Sequence, residues 1–244
     1  MPTDTGKGDE EHAPGSACWI DLGVADTARA AAFYEELFGW DIAPPDSSGY
    51  RLVSREGHLV AALGPAEDPG VPYWTVYLHT NDAAASATAV QAGGSTVVAP
   101  PSQVGDAGIT ATVRDPAGAT FALWQPLDHD GSWLSDKPGT PAGIQLQVED
   151  LPTARQFWDI AIGWHLDEGG RIWCRTHLVG ARRRAAKTQE TIRTAAPWLI
   201  ELRTDDLAAA LHRATQFGAT IVDAEHGLLC DPARAAFRLV AQAP

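Results

Sequence analysis

DTARAAAFYEELFGW, at residues 26–40, is followed much later by a close echo, DLPTARQFWDIAIGW, at residues 150–164. Each stretch begins with an aspartate, a favoured helix N-cap, and ends in Gly-Trp, where the glycine suits a helix C-cap. Between these ends, apolar residues recur at i, i+3, i+4, i+7 and i+8, which predicts an amphipathic helix that covers a sheet. The chain is therefore expected to contain two copies of one structural plan.

The repeat continues beyond the two helices. Three further pairs keep the same spacing of 124 residues: Trp74 and Trp198, Asp82 and Asp206, Gly94 and Gly218. The Asp-Pro pairs at 115–116 and 231–232 are 116 residues apart, so the second copy has lost a few residues. Registration over this length indicates a duplication.

Each copy divides again into two units. In the first copy, the alternating segment CWIDLGVAD precedes the helix, strand-like segments follow it, and YWTVYLHTND begins a second unit of the same kind. The prediction is an α+β fold of four βαβββ units in two domains. We expect a disordered tail at 1–14, a first domain at 15–126, a turn-rich linker at 127–141 and a second, degenerate domain at 142–244.

Composition restricts the functions that the chain can have. Its net charge of −13 disfavours a nucleic-acid or membrane partner. No apolar run approaches the roughly 20 residues of a spanning helix, and the acidic N-terminus lacks the apolar core of a signal peptide. Three cysteines without a CxxC pair indicate reduced thiols and a cytoplasmic location. Nine tryptophans could both fill a core and line a pocket for a flat ligand.

The segments FYEELFGW and DPAGATFALWQP, in paired βαβββ units, resemble the vicinal oxygen chelate superfamily, which includes glyoxalase I, extradiol dioxygenases and bleomycin-resistance proteins. The chain is most similar to the tandem two-domain members found in actinobacteria. The resemblance covers residues 15–125 strongly and 142–240 mainly through the internal repeat. It implies two glyoxalase-like domains in which curved mixed sheets surround a cleft, and it is informative about fold more than about reaction.

The resemblance also implies positions for a divalent metal, which the superfamily usually holds on His and Glu side chains. In this chain the corresponding positions are Trp19, Ala61, Thr75 and Ala122 in the first domain, and Gly143, Gly180, Leu199 and Arg238 in the second. None of these eight side chains is a usual ligand for such a cation. We therefore predict no metal cofactor, with a displaced site on Asp21 and His79 as the alternative.

Strand alternation indicates which side chains share the face of the first cleft. The predicted catalytic residues are Asp21 as acid or base and Tyr77 or His79 as hydrogen-bond donor. The predicted substrate-binding residues are Trp19, Thr75, Ala122, Trp124 and Glu201. Structural alternatives remain open: the two indoles could pack on each other, and a neighbouring phenol or imidazole could satisfy Asp21.

The second cleft is predicted to be crowded with charge. Glu201 stands beside Arg203 or Arg238 in the predicted register, and an ion pair there would fill the cleft. The second domain is thus expected to be mainly structural or to supply one wall. The arginine-rich run at 180–187 could hold an anion, although a solvated loop is the simpler interpretation.

Two functions of different classes fit this pattern. The first is metal-independent acid–base catalysis (isomerisation, cyclisation, dehydration or ring-opening) on a hydrophobic or aromatic small molecule of specialised metabolism. The second is binding without turnover, as in bleomycin resistance, where aromatic side chains sequester a flat and often cationic antibiotic. A metal-dependent lyase or dioxygenase is disfavoured by the residues at the metal positions. A monomer and a homodimer are both compatible with the sequence.

Overall fold

The computed structural model of the protein describes residues 13–66, 71–131, 137–147, 150–169, 171–174, 177–183 and 198–241. Within these ranges the chain forms two sheets of eight strands, one from each half. Of the predicted tail, residues 1–12 lie outside the described residues, whereas Ala13 is buried. Part of the predicted linker, 132–136, also lies outside them.

The first half follows the predicted order of elements. They are β1 (Ala17–Val24), α1 (Thr27–Phe38), β2 (Asp41–Ile42), β3 (Arg51–Arg55), β4 (His58–Pro65), β5 (Tyr73–His79), α2 (Ala83–Ala92), β6 (Thr96–Val104), β7 (Gly108–Arg114) and β8 (Thr120–Pro126). The strands lie in the order β2-β3-β4-β1-β5-β8-β7-β6. Because β1 pairs with β5, the two βαβββ units of this half join into one sheet.

The second half repeats this topology. Its elements are β9 (Pro141–Gln147), α3 (Leu151–Phe157), a π-helical turn (Trp158–Ile162), β10 (Trp164–Leu166), β11 (Arg171–Cys174), β12 (His177–Arg183), β13 (Trp198–Thr204), α4 (Leu207–Gln216), β14 (Thr220–Asp223), β15 (Leu228–Cys230) and β16 (Ala236–Ala241). Its order, β10-β11-β12-β9-β13-β16-β15-β14, is that of the first sheet. The predicted α+β fold of four βαβββ units is confirmed.

The repeated fifteen-residue segment forms the predicted capped helices. Asp26 accepts hydrogen bonds from the backbone N–H groups of Ala28 and Arg29, and Gly39 ends the helix in the left-handed region at φ +65°. Asp150 caps α3 in the same way, through the N–H of Thr153. None of the helices in the described residues is long and apolar enough to cross a bilayer.

The two halves share one hydrophobic core, and the repeated residues join them reciprocally. The Tyr34 hydroxyl of α1 donates to Asp231 of the second half at 3.1 Å. Its repeat counterpart Trp158 donates through Nε1 to Asp115 of the first half, also at 3.1 Å. Both acceptors are the buried aspartates of the Asp-Pro turns, so each helix closes onto the other half's final hairpin.

A second reciprocal pair involves the tryptophan that follows each helix. Trp40 donates through Nε1 to the carbonyl of Gly139 at 2.7 Å, and Trp164 donates to the carbonyl of Gly15 at 2.6 Å. Gly15 and Gly139 are themselves repeat counterparts, and both have a positive φ that favours glycine. Trp40 and Trp164, two of the nine tryptophans, therefore stabilise the contact between the halves and do not line a ligand pocket.

Candidate functional site

The first sheet encloses a cleft of about 470 Å³ on the face opposite its helices. The wall is formed by backbone, aliphatic groups, hydroxyls and aromatic rings, with two charged side chains among its described residues. The residues that line it are Asp21, Leu22, Gly23, Tyr50, Gly64, Pro65, Val71, Tyr73, Trp74, Thr75, Tyr77, Val98, Ala99, Thr112, Arg114, Gly118 and Thr120. This size and mixture are typical of a small-molecule site.

Asp21 lies on the floor of the cleft and is held by two phenols. Tyr77 donates to Asp21 Oδ2 at 2.6 Å, and Tyr50 donates to the same oxygen at 3.3 Å. Burial raises the pKa of the Asp21 carboxyl, while hydrogen bonds from Tyr77, Thr75 and Tyr50 oppose that rise. Burial and the nearby Asp21 charge also raise the pKa of the Tyr77 phenol, which keeps its proton for donation.

Asp21, Tyr77 and Thr75 come together because their strands are direct neighbours. Asp21 pairs with Thr75 across the antiparallel β1–β5 ladder, and Trp19 pairs with Tyr77. Side chains two residues apart on a strand share a face, so Asp21 and Tyr77 lie diagonally on the cleft side. The structure thus brings together Asp21, Thr75 and Tyr77, as the sequence predicted.

Tyr50 is a site residue that the sequence analysis missed, because it lies just before β3 and outside the alternating pattern. Its ring lies over Gly64, where an added Cβ would be 3.0 Å from a ring carbon. Gly23, the strand partner of Gly64, has the ring of Tyr73 at the same distance. A glycine inside a strand indicates that another group packs closely against the backbone there. Gly23 and Gly64 could therefore have predicted that aromatic rings lie over these two strands.

The two indoles predicted to hold the ligand lie outside the described lining of the cleft. Trp19 and Trp124 are buried in a separate small cluster with Cys18 and Ala62. The ring of His129 meets Trp19 edge-on with 4.9 Å between centroids, and the His129 carbonyl accepts a 2.9 Å bond from Trp124 Nε1. The chain after β8 therefore folds back over the indoles, in keeping with the structural alternative for them.

His79 does not join Asp21. It is buried at the end of β5, where its backbone bonds to Gly15 and Ser16. The small cavity beside it, of about 110 Å³, lies between the halves and also borders Ala161. Ala122 remains on the cleft side of β8 as the strand partner of Tyr77, although it is buried below the described lining.

The metal position assigned to Ala61 is corrected by one residue. Ala61 belongs to the main core, whereas Ala62 packs beside Trp19 and pairs with Asp21. The reason is an irregularity in the β3–β4 ladder, which shifts between Val53 and Ser54 and changes the strand's alternation.

The resulting set of side chains at the superfamily's metal positions is Trp19, Ala62, Thr75 and Ala122. Indole and methyl groups supply no donor, and a single hydroxyl does not replace imidazole and carboxylate ligands. Across the described residues, no group of three or more His, Cys, Asp or Glu side chains is arranged to hold a metal ion. The residues present at these positions do not fit a divalent cation.

In the second half, an ion pair lies on the described sheet face that corresponds to the first cleft. Glu201 accepts hydrogen bonds from Gln145 at 2.7 Å and from Arg238 at 2.9 Å, which confirms the predicted ion pair with Arg238 as the partner. Leu199 packs with Ala236 next to this group. Glu201, predicted to bind substrate, is thus occupied within the second half and does not reach the first cleft. The side chains of the run 180–187 lie outside the described residues.

Comparison with known proteins agrees with the duplicated architecture. The sequence profile described as "Glyoxalase-like domain" matches residues 18–124 and 143–240. "Anthracycline biosynthesis protein DauV" of Streptomyces sp. strain C5 is 33% identical over 259 residues, covering 93% of this chain and 94% of that protein. "Anthracycline biosynthesis protein DnrV" of Streptomyces peucetius is 32% identical over 262 residues, with the same coverage of 93% and 94%.

Among solved structures, the Mn(II)-bound glyoxalase from Novosphingobium aromaticivorans superposes with a TM-score of 0.64 at 15% identity, covering 95% of this chain and 83% of that one. The 2,2',3-trihydroxybiphenyl 1,2-dioxygenase of Sphingomonas wittichii gives a TM-score of 0.63 at 14% identity, covering 94% and 92%. At such identities these likenesses show the fold and carry no information on the reaction.

Proposed function

This chain belongs to the glyoxalase-like domain family, and from that premise we propose that its first cleft binds a flat aromatic molecule of specialised metabolism and acts on it by acid–base chemistry at Asp21. The observation that carries the proposal is the 2.6 Å hydrogen bond from Tyr77 to Asp21 on the floor of a 470 Å³ cleft. It places an oriented carboxyl group where a bound small molecule would meet it.

The ligand class follows from the walls of the cleft. Three of the chain's four tyrosines, Tyr50, Tyr73 and Tyr77, line it. Aromatic side chains provide large apolar contacts for a planar ring system, and their hydroxyls bond its oxygens. Two relatives that match nearly the whole chain are named for anthracycline biosynthesis, which supports a fused-ring ligand with ketone or phenol oxygens.

The proposed chemistry is proton transfer at a position activated by a carbonyl. Burial raises the pKa of Asp21 and so increases the basicity of its carboxylate. Tyr77 and Tyr50 both donate to Oδ2, which fixes the carboxyl group and leaves Oδ1 with acceptor capacity towards the ligand. Asp21 would take a proton from carbon or oxygen, and Tyr50, held by the longer bond, would donate to the oxyanion that develops.

Isomerisation, cyclisation and dehydration of aromatic ketones all begin with such a step. In each, the proton removed by Asp21 can return to a different atom of the same molecule, so the enzyme ends in its starting state. This balance requires neither an oxidant nor a metal. The proposal is therefore a metal-independent lyase or isomerase type of reaction.

Binding without turnover is the second candidate, and one observation favours it. Tyr77 and Tyr50 satisfy Asp21 without a ligand, as a purely structural carboxyl group would require. In that case the cleft would sequester an aromatic compound, and Asp21 would only shape the tyrosine wall.

Deuterium exchange distinguishes the two candidates. The protein is incubated in D₂O with a panel of hydroxylated tetracenone ketones that carry a carbon-bound hydrogen next to a carbonyl group, and mass spectrometry follows deuterium uptake at carbon and new products. Catalysis predicts uptake or conversion by the wild type and its loss in Asp21→Asn, with ligand affinity changed no more than a few-fold. Compounds that bind tightly but neither exchange nor convert would support sequestration and contradict catalysis.

A further inference from the structure

Four polar side chains cross the cleft in one line. Asp21 pairs with Thr75 between β1 and β5, and Thr120 pairs with Arg114 between β8 and β7. The parallel β5–β8 ladder pairs Tyr77 with Ala122, and extending this register by two residues brings Thr75 beside Thr120. All four residues line the cleft. The row therefore runs carboxyl, hydroxyl, hydroxyl, guanidinium across four adjacent strands.

Arg114, at the end of this row, is available for a ligand. It is exposed, and its Nε donates a 3.3 Å hydrogen bond to Thr120 Oγ1, which orients the guanidinium along the cleft wall. Within the described part of the chain, no carboxylate forms an ion pair with it. It is also the single cation, and Asp21 the single anion, among the described residues that line the cleft.

We propose that the cleft is built for a flat aromatic ligand that carries an acidic substituent, with Arg114 binding the anionic group while the other end of the ring system lies over Asp21. Arginine is suited to this role because its planar guanidinium offers paired donors to a carboxylate or a similar oxyanion. This inference rests on the proposed function, since it assigns the direction and charge of that ligand.

The spacing of the row fits such an arrangement. Adjacent strands are about 4.8 Å apart, so three intervals separate the backbones of Asp21 and Arg114 by about 14 Å across the sheet. The side chains of Asp21 and Arg114 extend into this span and shorten it. The gap that remains between them has room for a system of several fused rings. A ligand held at Arg114 would have its position along the row fixed, and this would choose the atom presented to Asp21.

The charge pattern argues for local recognition. The chain carries a net charge of −13, so its overall field does not attract an anion. Any preference for an anionic ligand must come from groups inside the cleft, where Arg114 is the cation on the wall.

Two matched probes test the inference. Anthraquinone-2-carboxylate and its neutral analogue anthraquinone-2-carboxamide are titrated into the full chain by calorimetry, at low and at high salt. The variants are Arg114→Gln, which keeps size but removes charge, and Arg114→Lys, which keeps charge but loses the planar pair of donors. Arg29→Gln, which removes an exposed arginine of α1 outside the cleft lining, is the control.

We expect the wild type and Arg29→Gln to bind the carboxylate about five- to tenfold more tightly than the carboxamide, less so at high salt. Arg114→Gln should bind both probes equally, and Arg114→Lys should keep part of the preference. Equal binding of both probes by the wild type would contradict the role of Arg114 in binding an anionic group. An unchanged preference for the carboxylate in Arg114→Gln would contradict it as well. Neither result would contradict the proposed function. If neither probe bound the wild type, both the anionic ligand and the proposed function would be contradicted.

Discussion

At the scale of single residues, the account depends on how Asp21 is surrounded. A carboxyl group on a strand facing a cavity is costly unless it is paired, and Tyr77 and Tyr50 supply that pairing. The same two hydrogen bonds, both to Oδ2, also orient the carboxyl group. The bonds that make Asp21 tolerable in the fold are therefore the bonds that position it for proton transfer. Tyr50 can reach Asp21 because Gly64 leaves space for its ring above the strand.

Replacing Tyr77 by Phe tests this linkage. The change removes a donor to the ionised form of Asp21, and loss of that donor raises the pKa of the carboxyl further. If the carboxylate is the base, activity rises with pH through this pKa, so the acid limb of the kcat/KM profile should move to higher pH. We expect kcat/KM at neutral pH to fall about tenfold.

Tyr50→Phe is the matched comparison, because its bond to Asp21 is longer at 3.3 Å and its removal should move the profile less. An acid limb that stays in place in Tyr77→Phe would show that Asp21 is not the titrating group.

Metal removal provides an independent test at the same scale. The side chains Trp19, Ala62, Thr75 and Ala122 do not form a divalent-cation site. Dialysis against EDTA should therefore leave the affinity for anthraquinone-2-carboxylate unchanged within twofold. Elemental analysis of the protein before dialysis supplies the control. Stoichiometric metal whose removal abolishes binding would refute this reading of the cleft.

At the scale of strands and helices, the cleft is shaped by where the chain bulges and turns back. The irregularity in the β3–β4 ladder turns Ala61 into the core and brings Ala62 to the cleft side. The segment after β8 returns along β7, with the N–H groups of Leu127 and His129 both bonded to the Ala107 carbonyl. This return places the His129 ring against Trp19.

Gly64→Ala tests the platform under Tyr50. An added methyl group would lie 3.0 Å from the Tyr50 ring, so the ring must move towards the cleft. We expect destabilisation of about 1–3 kcal/mol by urea unfolding and a loss of affinity for anthraquinone-2-carboxylate of at least fivefold. Gly169→Ala, in the exposed β10–β11 turn and outside the cleft, brings a methyl group 3.2 Å from the Asp167 carboxylate and is the control. Equal affinity in both variants would mean that Tyr50 does not shape the site.

Sequence patterns predicted the elements better than the site. The capped helices and the duplication could be predicted because capping and amphipathic periodicity are local properties, and they occur twice. Asp21 and Tyr77 could be placed together because strand alternation is regular there. The same regularity failed at Ala61, where a bulge intervenes, and for the two indoles, because the path of residues 127–131 depends on tertiary contacts. Arg114 was missed because its place in the row requires the register of four strands.

At the scale of the whole molecule, the duplication joins the two halves into one body. Tyr34 with Asp231 and Trp158 with Asp115 are repeat-related bonds, each of which crosses between the halves. The two halves have diverged at these positions, since Glu201 and Arg238 form an ion pair where the first half has Tyr77 and Ala122.

The buried Asp231, which accepts a hydrogen bond from Tyr34 of the other half, should make the stability of the protein depend on pH. Burial raises its pKa from 3.8 to about 6. The folded state therefore binds a proton more tightly than the unfolded state between about pH 4 and 6, and stability falls as pH rises through that window. The full shift corresponds to a decrease of at most about 3 kcal/mol in the free energy of unfolding above pH 6.

Asp231→Asn, which mimics the protonated form, should remove this component. Urea unfolding at pH 4 and pH 7 is expected to show that the variant gains stability relative to the wild type as pH rises. A difference between the two proteins that is the same at both pH values would contradict the assignment of the raised pKa to Asp231.

If the first cleft holds a flat aromatic ligand against Asp21, a crystal structure of the complex with anthraquinone-2-carboxylate should show it there. The expected structure has the ring system on the tyrosine wall, with its carboxylate at Arg114 and its unsubstituted ring in contact with Asp21. A ligand seated in the second half, or one found between Trp19 and Trp124 after displacement of His129, would contradict it.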